Sequence, residues 1–286
     1  MKVLITGGTG TLGKAICKKL IEYDNIDQIV VLNHTEYGQF LMKNELGNED
    51  KLKYILTDIR ELDALKLSFR GVDIVIHCAA LKHIDILESN PIEAKRTNID
   101  GSLNVMLSAI DCGVKKVLAI STDKAVDACS LYGASKLFSD KMFINANVYN
   151  DNSNTLFSVV RFGNFYGSRG SVVEKFKKMT DDGVKQLPIT DFKMDRFFID
   201  PEVAADRAIE VLGIMRGGEI FVPKMDVKKI TKIAREINPE AELVEIGLRP
   251  GEKLHEILVS EADDLRTIEE GNFWITKHYS EQDLML

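Results

Sequence analysis

Cysteine is scarce in this chain: Cys17, Cys78, Cys112 and Cys129 are scattered, and no two stand in a C-x-x-C spacing. That argues against a zinc site and against a disulfide framework, so reduced thiols are expected. No apolar run approaches the roughly 20 residues that a helix needs to cross a bilayer, and no membrane partner is expected. The first strand-like run, Lys2 to Thr6, follows the first Met directly, which leaves no room for a leader and points to the cytoplasm. Positive charge is in short supply too. With 37 Lys and Arg against 44 Asp and Glu the net charge is −7, which repels nucleic acid and anionic membranes over most of the surface. An anionic ligand must therefore be held by a local basic cluster, and a small phosphorylated molecule is the expected kind.

What the chain does contain is a repeated alternation. Short β-branched runs (Val3 to Thr6, Ile29 to Leu32, Asp73 to His77, Val117 to Ser121) read as buried parallel strands. Between them lie helical patterns, such as Leu12, Ala15, Ile16 and Leu20 on one face, and a longer one from about Pro91 to Cys112. This order predicts an α/β fold, a doubly wound parallel sheet of the Rossmann type. A further strand, Leu156 to Phe162, ends the clean alternation, and turn signals crowd the remainder. Residues 1–162 are accordingly expected to bind a dinucleotide. Residues 163–286 are expected to form a smaller part that binds substrate over the carboxyl edge of the sheet.

Between the first strand and first helix stands Gly7-Gly8-Thr9-Gly10-Thr11-Leu12-Gly13. Gly7, Gly10 and Gly13 permit a tight turn, close approach of backbone to a pyrophosphate and close helix packing, while the helix N-terminus faces the phosphates. A glycine turn before a helix is common for structural reasons alone, and the strand-turn-helix context is what favours a dinucleotide. Asp58-Ile59 after the third strand and Ala79-Ala80 after the fourth are candidate cofactor contacts, although small residues pack against any sheet. After the second strand come Asn33-His34, where an acid for the ribose hydroxyls would usually stand, and no arginine for a 2′-phosphate takes its place.

Tyr132 and Lys136 have the Tyr-x-x-x-Lys spacing, which puts both side chains on one helix face about one turn apart. An ammonium near a phenol favours the phenolate. Upstream lies Ser121-Thr122-Asp123-Lys124-Ala125. These segments follow in order with Ala80-Leu81-Lys82-His83, Arg161-Phe-Gly-Asn164, Gly167 to Val173, Pro188 to Asp191, Gly218 to Lys224 and Arg249 to Glu256. Together they resemble the configuration-inverting UDP-N-acetylglucosamine 4,6-dehydratases, extended short-chain dehydrogenase/reductases of flagellar glycan and capsule pathways.

The resemblance implies that Tyr132 takes the proton of the sugar C4 hydroxyl, Thr122 orients that oxygen, and Lys136 holds the ribose and tunes the phenol. Lys124 and Asp123 would act as base and acid at C5 and C6, and the lysine base would invert C5. It also implies NADP, with NAD the other possibility because the basic residues expected after the second strand are replaced by His34 and Gly38. Asn164, Val172, Arg249 and Glu252 would contact the UDP-sugar, as would Lys82 and Arg196, although each of these charges is more often a solvated surface group. A homo-oligomer is expected. A nucleotide-sugar 4-epimerase would use the same glycine loop, Thr122, Tyr132 and Lys136, but has no use for Asp123 and Lys124 as an elimination pair. A non-catalytic dinucleotide sensor would need neither Tyr132 nor Lys136.

Overall fold

The computed structural model describes residues 1–47, 49–149 and 154–277. The chain opens with β1 (Lys2–Thr6), α1 (Thr11–Ile21), β2 (Gln28–Asn33), α2 (Glu36–Leu46), β3 (Leu52–Leu56), α3 (Leu62–Phe69) and β4 (Ile74–His77). It continues through α4 (Ile84–Glu88), α5 (Pro91–Ala94), a π-helical turn (Lys95–Asp100), α6 (Gly101–Asp111), β5 (Lys116–Thr122), α7 (Leu131–Asn145) and β6 (Leu156–Phe162). On α1 the buried positions Leu12, Ala15, Ile16 and Leu20 recur at helical spacing. Removing each such Leu or Ile from water contributes roughly 1.5–3 kcal/mol.

The helical pattern from Pro91 to Cys112 is one stretch of chain but not one regular helix. Its middle is the π turn, where Asn98 is buried and faces inward. Asn98 Nδ2 donates to the Leu81 carbonyl (2.9 Å) and Oδ1 accepts from the Leu81 amide (2.8 Å). The extra residue in the i→i+5 turn aims this side chain at the loop after β4, and hydrophobic periodicity carries no record of it.

The remaining elements are β7 (Asn164–Phe165), α8 (Val172–Asp181), β8 (Gln186–Ile189), β9 (Asp195–Ile199), α9 (Pro201–Ile214), β10 (Ile220–Pro223), β11 (Asp226–Lys229), α10 (Ile230–Ile237), β12 (Glu242–Glu245), α11 (Glu261–Asp264), β13 (Thr267–Glu270) and β14 (Phe273–Thr276). The main sheet is nine-stranded, in the order β13-β14-β10-β6-β5-β4-β1-β2-β3. It is parallel from β3 across to β10, and β14 and β13 close that edge antiparallel. The chain winds outward from β1 to β3, then returns to lay β4 on the other side of β1. Ligands bind at this switch point, beyond the carboxyl ends of the strands.

The expected division at 162/163 does not separate two cores. After Phe162 the chain supplies β10, β13 and β14 to the main sheet, and Phe221, Phe273 and Ile275 share a core with Val3 and Ile5. The rest of that segment forms a smaller layer, the sheets β11-β9-β7 and β12-β8 with α8 and α10, around Val173, Phe176, Leu187 and Ile233. Among the described residues no helix is long and apolar enough to cross a membrane, and no cluster of His, Cys, Asp or Glu is arranged to hold a metal ion.

Candidate active site

Two adjoining cavities lie over the carboxyl edge. The first, of about 620 Å³, is lined by Gly7, Thr9, Gly10, Thr11, Leu12, Gly13, Asn33, His34, Asp58, Ile59, Ala79, Ala80 and Lys82, which brings together the expected dinucleotide contacts of the loops. Gly7 has φ +64°, and a Cβ there would meet the Ala79 backbone at 2.8 Å. A Cβ at Gly13 would sit 2.7 Å from the Gly8 Cα, so the loop can fold this tightly only with glycine. No side chain caps α1 and no acid lies in its first turn. The amides of Thr11, Leu12 and Gly13 thus offer uncompensated partial positive charge beside the cavity, a donor set that fits a pyrophosphate.

The ribose end is more polar. Asn33 Nδ2 donates to the Thr35 carbonyl (2.8 Å) and hydroxyl (2.9 Å), while its buried Oδ1 has no partner among the described residues. Asp58 is taken up by Arg60 (2.6 Å), which also reaches Glu93 (2.9 Å). A Cβ at Gly38 would meet the Thr35 and Thr9 hydroxyls at 2.8 and 2.9 Å, so α2 approaches the glycine loop too closely there for a basic side chain in this conformation.

The second cavity, of about 680 Å³, is lined by Thr122, Lys124, Tyr132 and Lys136 and by Lys82, Asn164, Val172, Arg196, Arg249 and Glu252. Lys82 lines both cavities. Tyr132 and Lys136 come from α7, whose N-cap Ser130 accepts from the Gly133 amide (3.1 Å). A Cβ at Gly133 would fall 2.2 Å from the Lys124 carbonyl oxygen. The glycine after Tyr132 is what lets the helix start against the 123–125 turn.

Thr122 donates to Asp123 Oδ1 (2.9 Å), which also accepts from Lys124 Nζ (2.9 Å). A polar line therefore runs from Thr122 through Asp123 to Lys124, and Tyr132 lines the same cavity as Thr122 and Lys124. Asp123 itself is fully buried and lies behind Thr122 and Lys124 rather than in the cavity lining. Burial pushes the phenol above its ordinary value, the neighbouring Thr122 hydroxyl works against that rise, and the carboxylates of Asp123 and Asp140 add to it. Lys136 donates to the Ile120 carbonyl (2.8 Å) and is drawn below its ordinary value by burial, against the pull of Asp140 and Cys78. Lys136, one turn further along α7, lines the same cavity as Tyr132.

Several substrate candidates also bind each other. Arg249 pairs with Glu252, and Arg196 donates to the carbonyls of Asp195, Lys253 and Leu254, so it clamps the 253–254 backbone. Lys82 donates to the Arg169 carbonyl (2.8 Å). His77 is held in the core between Thr6 and Ser102, and burial lowers it to about 3; Cys78 is pushed up to about 12 by burial.

Three groups were not singled out from the sequence. Asn98 fixes the loop after β4. Asp140 lies fully buried beneath the site, accepting from Ser121 (2.7 Å) and facing Arg161 (3.4 Å). Glu256 lines the second cavity with Lys253 against it (3.0 Å). The only sequence signal for Glu256 was its place at the end of the Arg249 to Glu256 segment.

A family model described as polysaccharide biosynthesis protein matches residues 3–278. The chain is 45% identical to a protein named UDP-N-acetylglucosamine 4,6-dehydratase (inverting) from Campylobacter jejuni (strain 81-176), over 95% of this chain and 81% of that one. It is 34% identical to a UDP-glucose 4-epimerase from Rickettsia akari, over 95% of this chain and 81% of that one. The X-ray structure of Pen from Bacillus thuringiensis superposes with a TM-score of 0.92 at 36% identity, covering 97% of this chain and 89% of that one.

Proposed function

This chain belongs to the polysaccharide biosynthesis protein family, and on that footing we propose that it is an inverting UDP-N-acetylglucosamine 4,6-dehydratase, a carbon–oxygen lyase. The observation that carries the reading is the turn Thr122-Asp123-Lys124, whose side chains form one polar line and set Lys124 at the wall of the cavity that Tyr132 also lines. Gly7, Gly10 and Gly13 of the adjoining cavity would hold a nicotinamide dinucleotide, and when bound it would supply an acceptor for the C4 hydride and a donor for C6, so that no external reductant would be consumed.

The chain's own groups move the protons. Tyr132 removes the proton of the C4 hydroxyl while Thr122 orients that oxygen. Once C4 is a ketone the C5 proton is acidic, and Lys124 takes it. The departing C6 hydroxyl receives its proton from the Asp123–Lys124 pair through Lys124, the member that lines the cavity, with Asp123 2.9 Å behind it. Lys82, Asn164, Val172, Arg196, Arg249 and Glu252 bind the UDP-sugar. The 4-epimerase reading uses Thr122, Tyr132 and Lys136 alike, but leaves the Asp123–Lys124 pair without a task. Incubation with UDP-N-acetylglucosamine is expected to give a product lighter by one water in mass spectrometry. A product of unchanged mass would favour epimerisation.

The cofactor is proposed to be NADP, on the resemblance. His34 and Arg60 line the ribose end of its cavity. Dinucleotide extracted from the purified protein is expected to be NADP by mass spectrometry; NAD alone would mean that Asn33 Oδ1, with Arg60 engaged by Asp58 and Glu93, selects a ribose hydroxyl. Self-association is proposed through the exposed apolar side chains of Leu103 on α6 and Phe138 on α7.

A further inference from the structure

We infer that Glu256 and Lys253 form a charge pair that positions Lys124 for its proton transfer; this rests on Lys124 being the C5 base proposed above. Glu256 lies in the segment after β12, and its side chain is 3% exposed at the cavity wall. Its Oε1 is 4.0 Å from Lys124 Nζ and its Oε2 is 3.0 Å from Lys253 Nζ. Lys253 in turn donates to the Val126 carbonyl (2.6 Å), and the Val126 amide closes the turn on the Asp123 carbonyl (3.0 Å). The segment is thus tied to the catalytic turn at both ends, by a hydrogen bond behind and by a charge in front.

Lys124 is approached from four sides. Asp123 of its own turn accepts at 2.9 Å, Asn164 of β7 accepts at 3.3 Å, and Glu256 stands at 4.0 Å. Lys82, from the loop after β4, faces it with like charge. Tyr132 of α7 lines the same cavity, and the Arg196 guanidinium fixes the Lys253 and Leu254 carbonyls behind Glu256.

An ammonium is no base, so Lys124 must be reachable as the free amine. Asp123, Lys124, Glu256 and Lys253 sum to no net charge, and losing the Lys124 proton leaves one uncompensated negative charge in a closed site. Glu256 holds the ammonium in place and favours it, while Lys253 draws off part of that carboxylate's field and makes the amine accessible. The two side chains therefore act on Lys124 with opposite sign, which a purely architectural role for either would not do.

The test is the acid limb of the kcat profile for water elimination from UDP-N-acetylglucosamine. In Glu256→Gln the limb is expected to move to lower pH by about one unit, with KM near that of the parent protein. In Lys253→Gln, which keeps a donor for Val126, it is expected to move to higher pH by about as much. If Glu256→Gln does not fold, Glu256→Asp withdraws the carboxylate by one methylene and should shift the limb the same way by less. Limbs that stay in place, or that move in the same direction in both variants, overturn the inference. A parent protein that removes no water overturns the dehydratase reading, and this inference falls with it.

Discussion

Replacing Tyr132 with phenylalanine lowers turnover by roughly a thousandfold or more, the contribution expected of a positioned general base and equivalent to about 4 kcal/mol of barrier. Only the phenol oxygen is lost. Thr122 keeps its bond to Asp123, the ring still fills its place on α7, and the loops that line the two cavities are untouched. Affinity for dinucleotide and UDP-sugar should therefore stay close to that of the parent. In stopped-flow absorbance the variant mixed with substrate is expected to show no reduced nicotinamide. Near-normal turnover would mean that another group takes the C4 hydroxyl proton.

Lys124→Ala separates the two halves of the reaction. Oxidation at C4 depends on Tyr132 and Thr122, so reduced nicotinamide should still form, and it should accumulate because elimination has lost its base. No dehydrated product is expected over many parent turnover times. The parent protein run in deuterated water should place deuterium at C5 of a product with the L-arabino configuration, read from NMR coupling constants before slow C5 epimerisation. A fresh D-xylo product would remove the inverting assignment and leave the dehydratase reading standing. The variant also loses stability. Asp123 would keep only Thr122 as a side-chain partner, with Oδ2 already unpaired, and Glu256 would lose one of two cations. Breaking a buried pair costs about 3–5 kcal/mol, an upper figure here because Lys124 opens onto the cavity. Thermal melting should therefore accompany the kinetics.

The sheet's first half was legible because β1, β2, β4 and β5 are buried on both faces and read as unbroken β-branched runs. The glycine loop was legible because its glycines answer a local need of the backbone. What escaped depends on distant partners. Asn98 sits in a π turn that has no hydrophobic period of its own. Glu256 looks like one charge among many in an acidic chain until folding brings it to Lys124, and Lys253 meets Val126 across 127 positions of sequence. The side chains of Lys124, Tyr132 and Lys136 were found in one cavity as expected. The hydrogen bond from Lys136 to the Ile120 carbonyl joins α7 to β5, a pairing that spacing cannot supply. Likewise β10, β13 and β14 are short runs whose place in the main sheet follows from packing alone.

That late return to the sheet has a cost during synthesis. Strand β10 joins β6 through Ile220 beside Val159, and β14 covers β10 through Thr276 opposite Ile220. A ribosome adds about 5–20 residues per second, so several seconds separate the emergence of β6 from that of β14. Until β10 emerges β6 presents an open edge of backbone donors and acceptors, and until β14 follows the faces that Phe273 and Ile275 will cover remain wet. Contacts between such distant stretches of chain also slow the search for the native pairing. The nascent protein is thus most prone to aggregate after its nucleotide loop has formed and before its last strands arrive, and that interval is where a chaperone would bind it.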